Sequence, residues 1–189
     1  AAKNSPHLEI FRNKGIAVLL LWERVDEWLI SHLNEFDGKV LQSVAKGELD
    51  LGDLEDKEEK EAIKETAKEH EDLLKKMQEK LGDKVKEVRV TYRLTNSPSC
   101  LVVGDEDMAV GMQNILKQYG HDIPATQPIL EVNPGHPLVQ RLKNEVDDER
   151  FGDWTSLLFD QAMLSEGGQL EDPASFVSRL NEMLLHLTK

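Results

Sequence analysis

The chain has 189 residues, 39% hydrophobic and 31% charged, with a formal net charge of −13; that is enough for one large or two small domains with a real core, and the acidic excess argues against nucleic-acid or anionic-membrane binding, which needs surplus Lys and Arg. The single Cys100 excludes an internal disulfide and any multi-cysteine metal site. No run approaches the roughly 18 apolar residues of a membrane span, and the N-terminus carries no signal-peptide pattern.

Ser5-Pro6 opens a short helix that stops at Gly15. Ile16 to Leu21 is a continuous apolar run, short enough for a buried strand of a parallel sheet. Val25, Trp28, Leu29, His32, Leu33 and Phe36 follow at helical spacing, Asp37-Gly38 makes a turn, and Val40 to Val44 returns as a strand. The unit is too small to stand alone and reads as the tail of a larger α/β domain. The chain opens without Met, at a helix-start signal, and is expected to be either a processed chain or a fragment of something longer. Gly47 to Leu54 is a loop. Glu55 to Lys80 is charge-dense, and Ile63, Leu73, Leu74, Met77 and Leu81 give it only a thin apolar stripe, the pattern of a solvated helical spacer.

Past Gly82-Asp83, Val85, Val88, Val90 and Leu94 mark a strand whose outer face carries Lys86, Arg89 and Arg93. Leu101 to Val103 is a second strand beyond the Asn96-Ser97-Pro98 turn. Asp105 to Tyr119 reads as a helix ending at Gly120, Ile129 to Val132 as a third strand, and His136-Pro137 starts a helix through Leu142. Strands followed by terminal helices give an α+β fold. The expected division is 1–52 as α/β, 53–82 as a charged helical connector and 83–189 as an α+β domain, with the boundary inside Gly47 to Lys68. Met108, Met112, Ile115, Leu116 and Tyr119 form a stripe that is either ordinary core or a Met-rich adaptable surface of the kind promiscuous binders use. Trp28 is equally two-sided: core, or with Glu27 an exposed aromatic anchor.

The last two helices carry more apolar surface than they can cover together. Glu149 to Glu166, closed by Gly167-Gly168, is apolar nearly all round through Phe151, Trp154, Leu157, Leu158, Phe159, Ala162, Met163 and Leu164. Asp172 is a good N-cap and Pro173 suits the first position of the final helix. That helix aligns Phe176, Leu180, Met183, Leu184 and Leu187 in one stripe. Either a second copy pairs with them as a four-helix bundle, or both pack back on their own domain.

Catalytic signatures are missing: no G-x-x-x-x-G-K, G-x-G-x-x-G, H-E-x-x-H or G-x-S-x-G occurs. The six His residues are scattered and read as surface or capping residues. Cys100, beside a strand with no neighbouring His, reads as a small buried hydrophobe. The carboxylates of Glu55 to Asp72 are too many and too exposed to be tuned acid–base groups.

S-P-H-L-E from Ser5, then I-A-V-L-L-L, R-V-D-E-W and N-E-F-D-G-K, resemble the last portion of the middle domain of heat-shock protein 90 chaperones. G-D-K-V-K-E-V-R-V-T-Y-R-L-T, S-P-S-C-L-V-V, I-L-E-V-N-P-G-H-P-L-V and D-Q-A-M-L-S-E-G-G-Q-L-E-D-P-A-S-F are similar to the C-terminal domain of the same family. The resemblance covers nearly the whole chain in family order and is weakest across Leu49 to Lys80. The ending, Leu187-Thr188-Lys189, resembles the bacterial type, without the Met-Glu-Glu-Val-Asp tail that recruits helical-repeat co-chaperones.

The resemblance implies part of a homodimeric, ATP-driven chaperone of the bacterial cytoplasm that assists folding under stress and whose partners are non-native client proteins. ATP and Mg belong to an N-terminal domain, and a catalytic arginine to an earlier part of the middle domain. No catalytic, cofactor or metal residue is therefore expected in this chain. The terminal helices would form the dimer interface through Trp154, Leu157, Leu158, Phe176, Leu180, Met183, Leu184 and Leu187. Glu27, Trp28, Met108, Met112, Ile115 and Leu116 would face clients in the cleft between protomers. The alternative is a purely structural homodimerisation or scaffolding module that binds no clients.

Overall fold

The computed structural model describes residues 2–21, 23–33, 35–49, 51, 57–105, 107, 113, 116, 119–120 and 126–187. Two 3-10 turns, Ala2–Asn4 and Pro6–Leu8, lead into α1 (Glu9–Asn13), which is followed by Gly15 at φ 68°. Ser5 caps the second turn by accepting the His7 N–H, and Pro6 fills its first position, as the sequence predicts.

Ile16 to Leu21 is not a strand. Ile16, Val18 and Leu20 are half-buried while Ala17, Leu19 and Leu21 face outward, and no ladder among the described residues engages them. Apolar composition without a neighbour to donate and accept hydrogen bonds does not make a sheet. Helix α2 (Arg24–His32) is also shorter than its spacing predicts. Leu33 leaves the helix at φ −106°, ψ 90°, and Phe36 belongs to a hairpin of β1 (Glu35–Phe36) and β2 (Lys39–Val40). Asp37 at φ 51° and Gly38 at φ 72° form the two-residue turn that matches strand twist. The returning strand is thus two residues long rather than running to Val44.

The charged run forms two helices, α3 (Lys57–Glu69) and α4 (Glu71–Leu81), broken at a buried His70. Only α3 fits a solvated spacer. Helix α4 buries Leu73, Met77 and Leu81, spaced i, i+4 and i+8. A stripe that narrow is enough for a helix lying on the surface of a sheet domain.

That domain is built on a mixed three-stranded sheet of β3 (Glu87–Val90), β4 (Ser99–Val102) and β5 (Ile129–Val132). Strand β5 is central, parallel to β3 and antiparallel to β4. Alternation sends Val88, Leu101, Leu130 and Val132 to one face, where they meet α4, α5 (Pro137–Lys143), α6 (Asp148–Ser165) and α7 (Pro173–Leu187). Each of the last three helices is capped, two of them at the predicted starts His136 and Asp172, the third at Asp147, two residues before its predicted start. His136 Nδ1 accepts from Leu138 N–H, Asp147 Oδ1 from Arg150 N–H, and Asp172 Oδ1 from Ala174 and Ser175 N–H.

The same alternation corrects the reading of β3 as basic on a solvent face. Lys86 stays exposed, but Arg93 is 0% exposed, and Glu131 of β5, at 2%, lies opposite Arg89 in the ladder. Nor are the histidines all at the surface. His7 is buried with Nε2 2.9 Å from Glu166 Oε1, and His70 is buried with Nδ1 2.9 Å from the Thr66 carbonyl. Among the described residues no helix is long and apolar enough to cross a membrane.

Candidate interaction surfaces

Helix α2 starts where the Glu23 N–H donates to Asp26 Oδ2 at 2.9 Å, and no Gly or Pro interrupts it. Three of its four apolar residues, all but the half-buried Ile30, point outward. Trp28 is 63% exposed, with Val25 and Leu29 beside it on the same helix also exposed. The Trp28 ring stacks on His32 at 5.4 Å between centroids, and His32 Nδ1 lies 3.0 Å from the Trp28 carbonyl oxygen. Phe36 and Val40 of the hairpin are exposed as well. Of the other residues expected to face clients, Leu116 is helical and half-buried. Met108, Met112, Ile115 and the side chain of Glu27 lie outside the described residues, as does most of the helix expected over Asp105 to Tyr119.

The segment around α2 is fixed to the sheet by a buried charge network that the sequence reading missed. The Glu131 carboxylate accepts from Arg89 Nη2 at 2.7 Å and Nε at 3.0 Å, and from Arg93 Nε at 3.0 Å. The remaining guanidinium donors reach the N-terminal segment: Arg93 bonds the carbonyls of Val44 and Gly47, and Arg89 that of Gly47 at 2.9 Å. The Tyr92 hydroxyl donates to the Leu49 carbonyl at 2.9 Å. Burial would raise the Glu131 carboxyl, but the Arg93 and Arg89 charges outweigh it and hold it below the usual carboxylate value. Cys100, fully buried beside Glu131, has its thiol pushed well up by that burial and by the neighbouring carboxylate, the opposite of an activated nucleophile.

A second clamp joins the same parts. Glu9 Oε2 accepts the backbone N–H groups of Thr95, Asn96 and Ser97 at 2.6, 2.7 and 3.1 Å, and Oε1 accepts the Ser97 hydroxyl at 2.5 Å. Partial burial works to raise the Glu9 carboxyl, but these donors win and lower it. A carboxyl lowered on folding stabilises the fold in full above its unfolded value, and that contribution is lost as pH falls through the folded one. Urea titrations from about pH 6 to pH 3 should therefore show Glu9→Gln losing less stability on acidification than the parent. Parallel curves would remove Glu9 from the clamp.

At the other end, α6 is apolar all round because its own chain surrounds it. Phe151, Trp154, Leu157, Leu158, Phe159 and Ala162 are buried among β4, α4, α5 and α7. Trp154, Leu157 and Leu158, expected at a dimer interface, thus lie in the protomer's core. The sheet and α4 fill the side that the helical hairpin alone leaves open. On α7, Met183 is buried and Phe176 and Leu180 are half-buried against this core, tied further by Arg179 Nη2 to Asp160 Oδ2 at 2.7 Å. Leu184 is 52% exposed and shares its outer side with Val177, seven residues earlier. The Leu187 side chain lies outside the described residues.

Comparison with known proteins gives this geometry its family. The model for the family described as Hsp90 protein matches residues 1–188. Chaperone protein HtpG of Burkholderia lata is 62% identical over 185 residues, which cover 98% of this chain and 29% of that protein. Chaperone protein HtpG of Alkalilimnicola ehrlichii is 60% identical over 184 residues, 97% of this chain and 28% of that protein. The chain therefore spans about 28% of the length of such curated relatives. With a family match across nearly its entire length and this level of identity, the chain belongs to the Hsp90 family.

Proposed function

We propose that this chain is the dimerisation and client-binding portion of an ATP-dependent chaperone that assists protein folding in the bacterial cytoplasm. The observation that carries the reading is the apolar outer side of α2, where Val25, Trp28 and Leu29 are open to solvent on a helix whose surroundings are clamped by buried charges. A folded protein rarely leaves large apolar groups together at its surface unless something covers them. An aromatic ring flanked by aliphatic groups holds exposed hydrophobic segments of a partly folded chain without requiring a sequence. The name shared by the relatives, chaperone protein, supports the same reading. ATP and Mg are assigned to parts of the longer protein outside this chain, and no residue here is given a catalytic role. Dimerisation falls to the outer side of α7, and two tethered copies would face one client from both sides at raised effective concentration.

The client surface is tested with Trp28→Ala combined with Met112→Ser. Titrated with a fluorescently labelled, partly folded protein, this variant should bind about 5- to 30-fold more weakly, the effect of losing an aromatic anchor worth about 1–2 kcal/mol. Its sedimentation behaviour and thermal unfolding should match the parent. Equal client affinity would move the site elsewhere and favour the scaffolding alternative.

A further inference from the structure

Trp28 and His32 stand one turn apart on α2, the i, i+4 spacing at which helical side chains meet. Their rings lie parallel to within 5°, with centroids 5.4 Å apart, in the range aromatic pairs favour. The imidazole is held twice. Besides the stack, its Nδ1 lies 3.0 Å from the Trp28 carbonyl oxygen, and because a carbonyl only accepts, Nδ1 carries the proton of that bond. A ring nitrogen tied to the backbone and a ring face laid on the indole together fix the plane of the imidazole. Both side chains are exposed, so the pairing is not a product of core packing. Trp28 keeps most of its surface open, with Val25 three residues before it and Leu29 one after, both exposed as well.

We propose that His32 is a positioning residue for client binding, holding the Trp28 indole as a fixed platform for apolar segments of an unstructured chain, a role that rests on α2 being the client surface. An exposed tryptophan otherwise samples several staggered rotamers, and a client that engages it must meet the cost of selecting one. With one indole face against the imidazole, the other face and the ring edge are presented already ordered. Preorganisation of this kind raises affinity without adding a contact to the client. It also asks little of the client's sequence, because aliphatic and aromatic side chains alike can lie on an indole face.

The probe is fluorescein-labelled casein, a chain without fixed structure, titrated at constant pH with the parent, His32→Ala, Trp28→Ala and the double variant. His32→Ala should bind about three- to tenfold more weakly, the scale of one aromatic pair. Alanine is the better helix former, so melting of α2 cannot account for the loss. Because His32 acts through Trp28, removing it from Trp28→Ala should weaken binding no further, where independent contacts would add. His32→Phe keeps a ring for the stack and should recover most of the affinity. The stack is also read without casein: the indole ring current should displace the His32 ring-proton resonances in the parent, and Trp28→Ala should remove that displacement. If Trp28→Ala is weakened but His32→Ala binds casein as the parent does, the positioning role is overturned and the client surface stands. Additive losses in the double variant, or His32 resonances that Trp28→Ala leaves in place, would overturn the role in the same way. Trp28→Ala binding as tightly as the parent would overturn the client surface, and the role of His32 with it.

Discussion

Replacing Glu131 by Gln should destabilise the fold by about 3–5 kcal/mol, the scale seen when one partner of a buried ion pair is removed. Arg93 has no exposure, and its Nε spends its hydrogen bond on Glu131. With a neutral amide in place of the carboxylate, two guanidinium groups face each other on a buried sheet face with their charge uncompensated. For a chain of this size that corresponds to a thermal midpoint lower by roughly 6–20 °C. Replacing the pair together, Arg93→Met with Glu131→Leu, should be milder than Glu131→Gln alone. It removes the charge as well as its partner, and Arg89, less buried than Arg93, can turn toward solvent. Urea denaturation measures both. A Glu131→Gln variant within about 1 kcal/mol of the parent would show that the network contributes little. Because Arg93 also holds the Val44 and Gly47 carbonyls, amide exchange across Val44 to Leu49 should accelerate in Glu131→Gln before the rest of the sheet is affected.

What could be read in the sequence follows from how local each signal is. The helix starts at Ser5, His136 and Asp172, the Asp37-Gly38 turn and the Ile129 to Val132 strand all rest on residues that act on their own neighbours. The Glu131 network was missed because its members come from strands some forty residues apart, joined only by the parallel pairing of β3 with β5. Read singly, Arg89 and Arg93 alternate with valines and look like a solvent face, and the acid in Ile129-Leu130-Glu131-Val132 looks like an isolated polar residue. Its signal was present as a lone Glu on a strand otherwise apolar. Ile16 to Leu21 failed in the opposite sense: apolar enough for a strand, it lacks a pairing partner among the described residues. Periodicity showed that Trp28 lies on an apolar stripe of α2, but a stripe does not say what covers it, and here it faces solvent. The family resemblance added what the residues alone could not, a reason to regard that exposure as useful.

Leu184→Asp should abolish dimerisation while leaving the fold intact. Residues on α7 divide between two tasks. Met183 is sealed into the protomer with Phe176 and Leu180 packed beside it, whereas Leu184 and Val177 remain outside. If the outer side is where a second copy sits, an aspartate at 184 is solvated in the monomer and loses that solvation in the dimer without a cation to receive it. A penalty of about 3–4 kcal/mol for that transfer raises the dissociation constant on the order of 100- to 1,000-fold. Sedimentation equilibrium should then find monomers at concentrations where the parent is a dimer, with thermal unfolding otherwise close to the parent. Leu157→Asp is the informative contrast. Leu157 is buried among the sheet and helices of its own chain, so a charge there should unfold the domain rather than merely separate two copies. A Leu184→Asp variant with unchanged dimer mass would place the interface off this side of α7. A parent chain that stays monomeric throughout would show that the terminal helices complete their own domain and do no more.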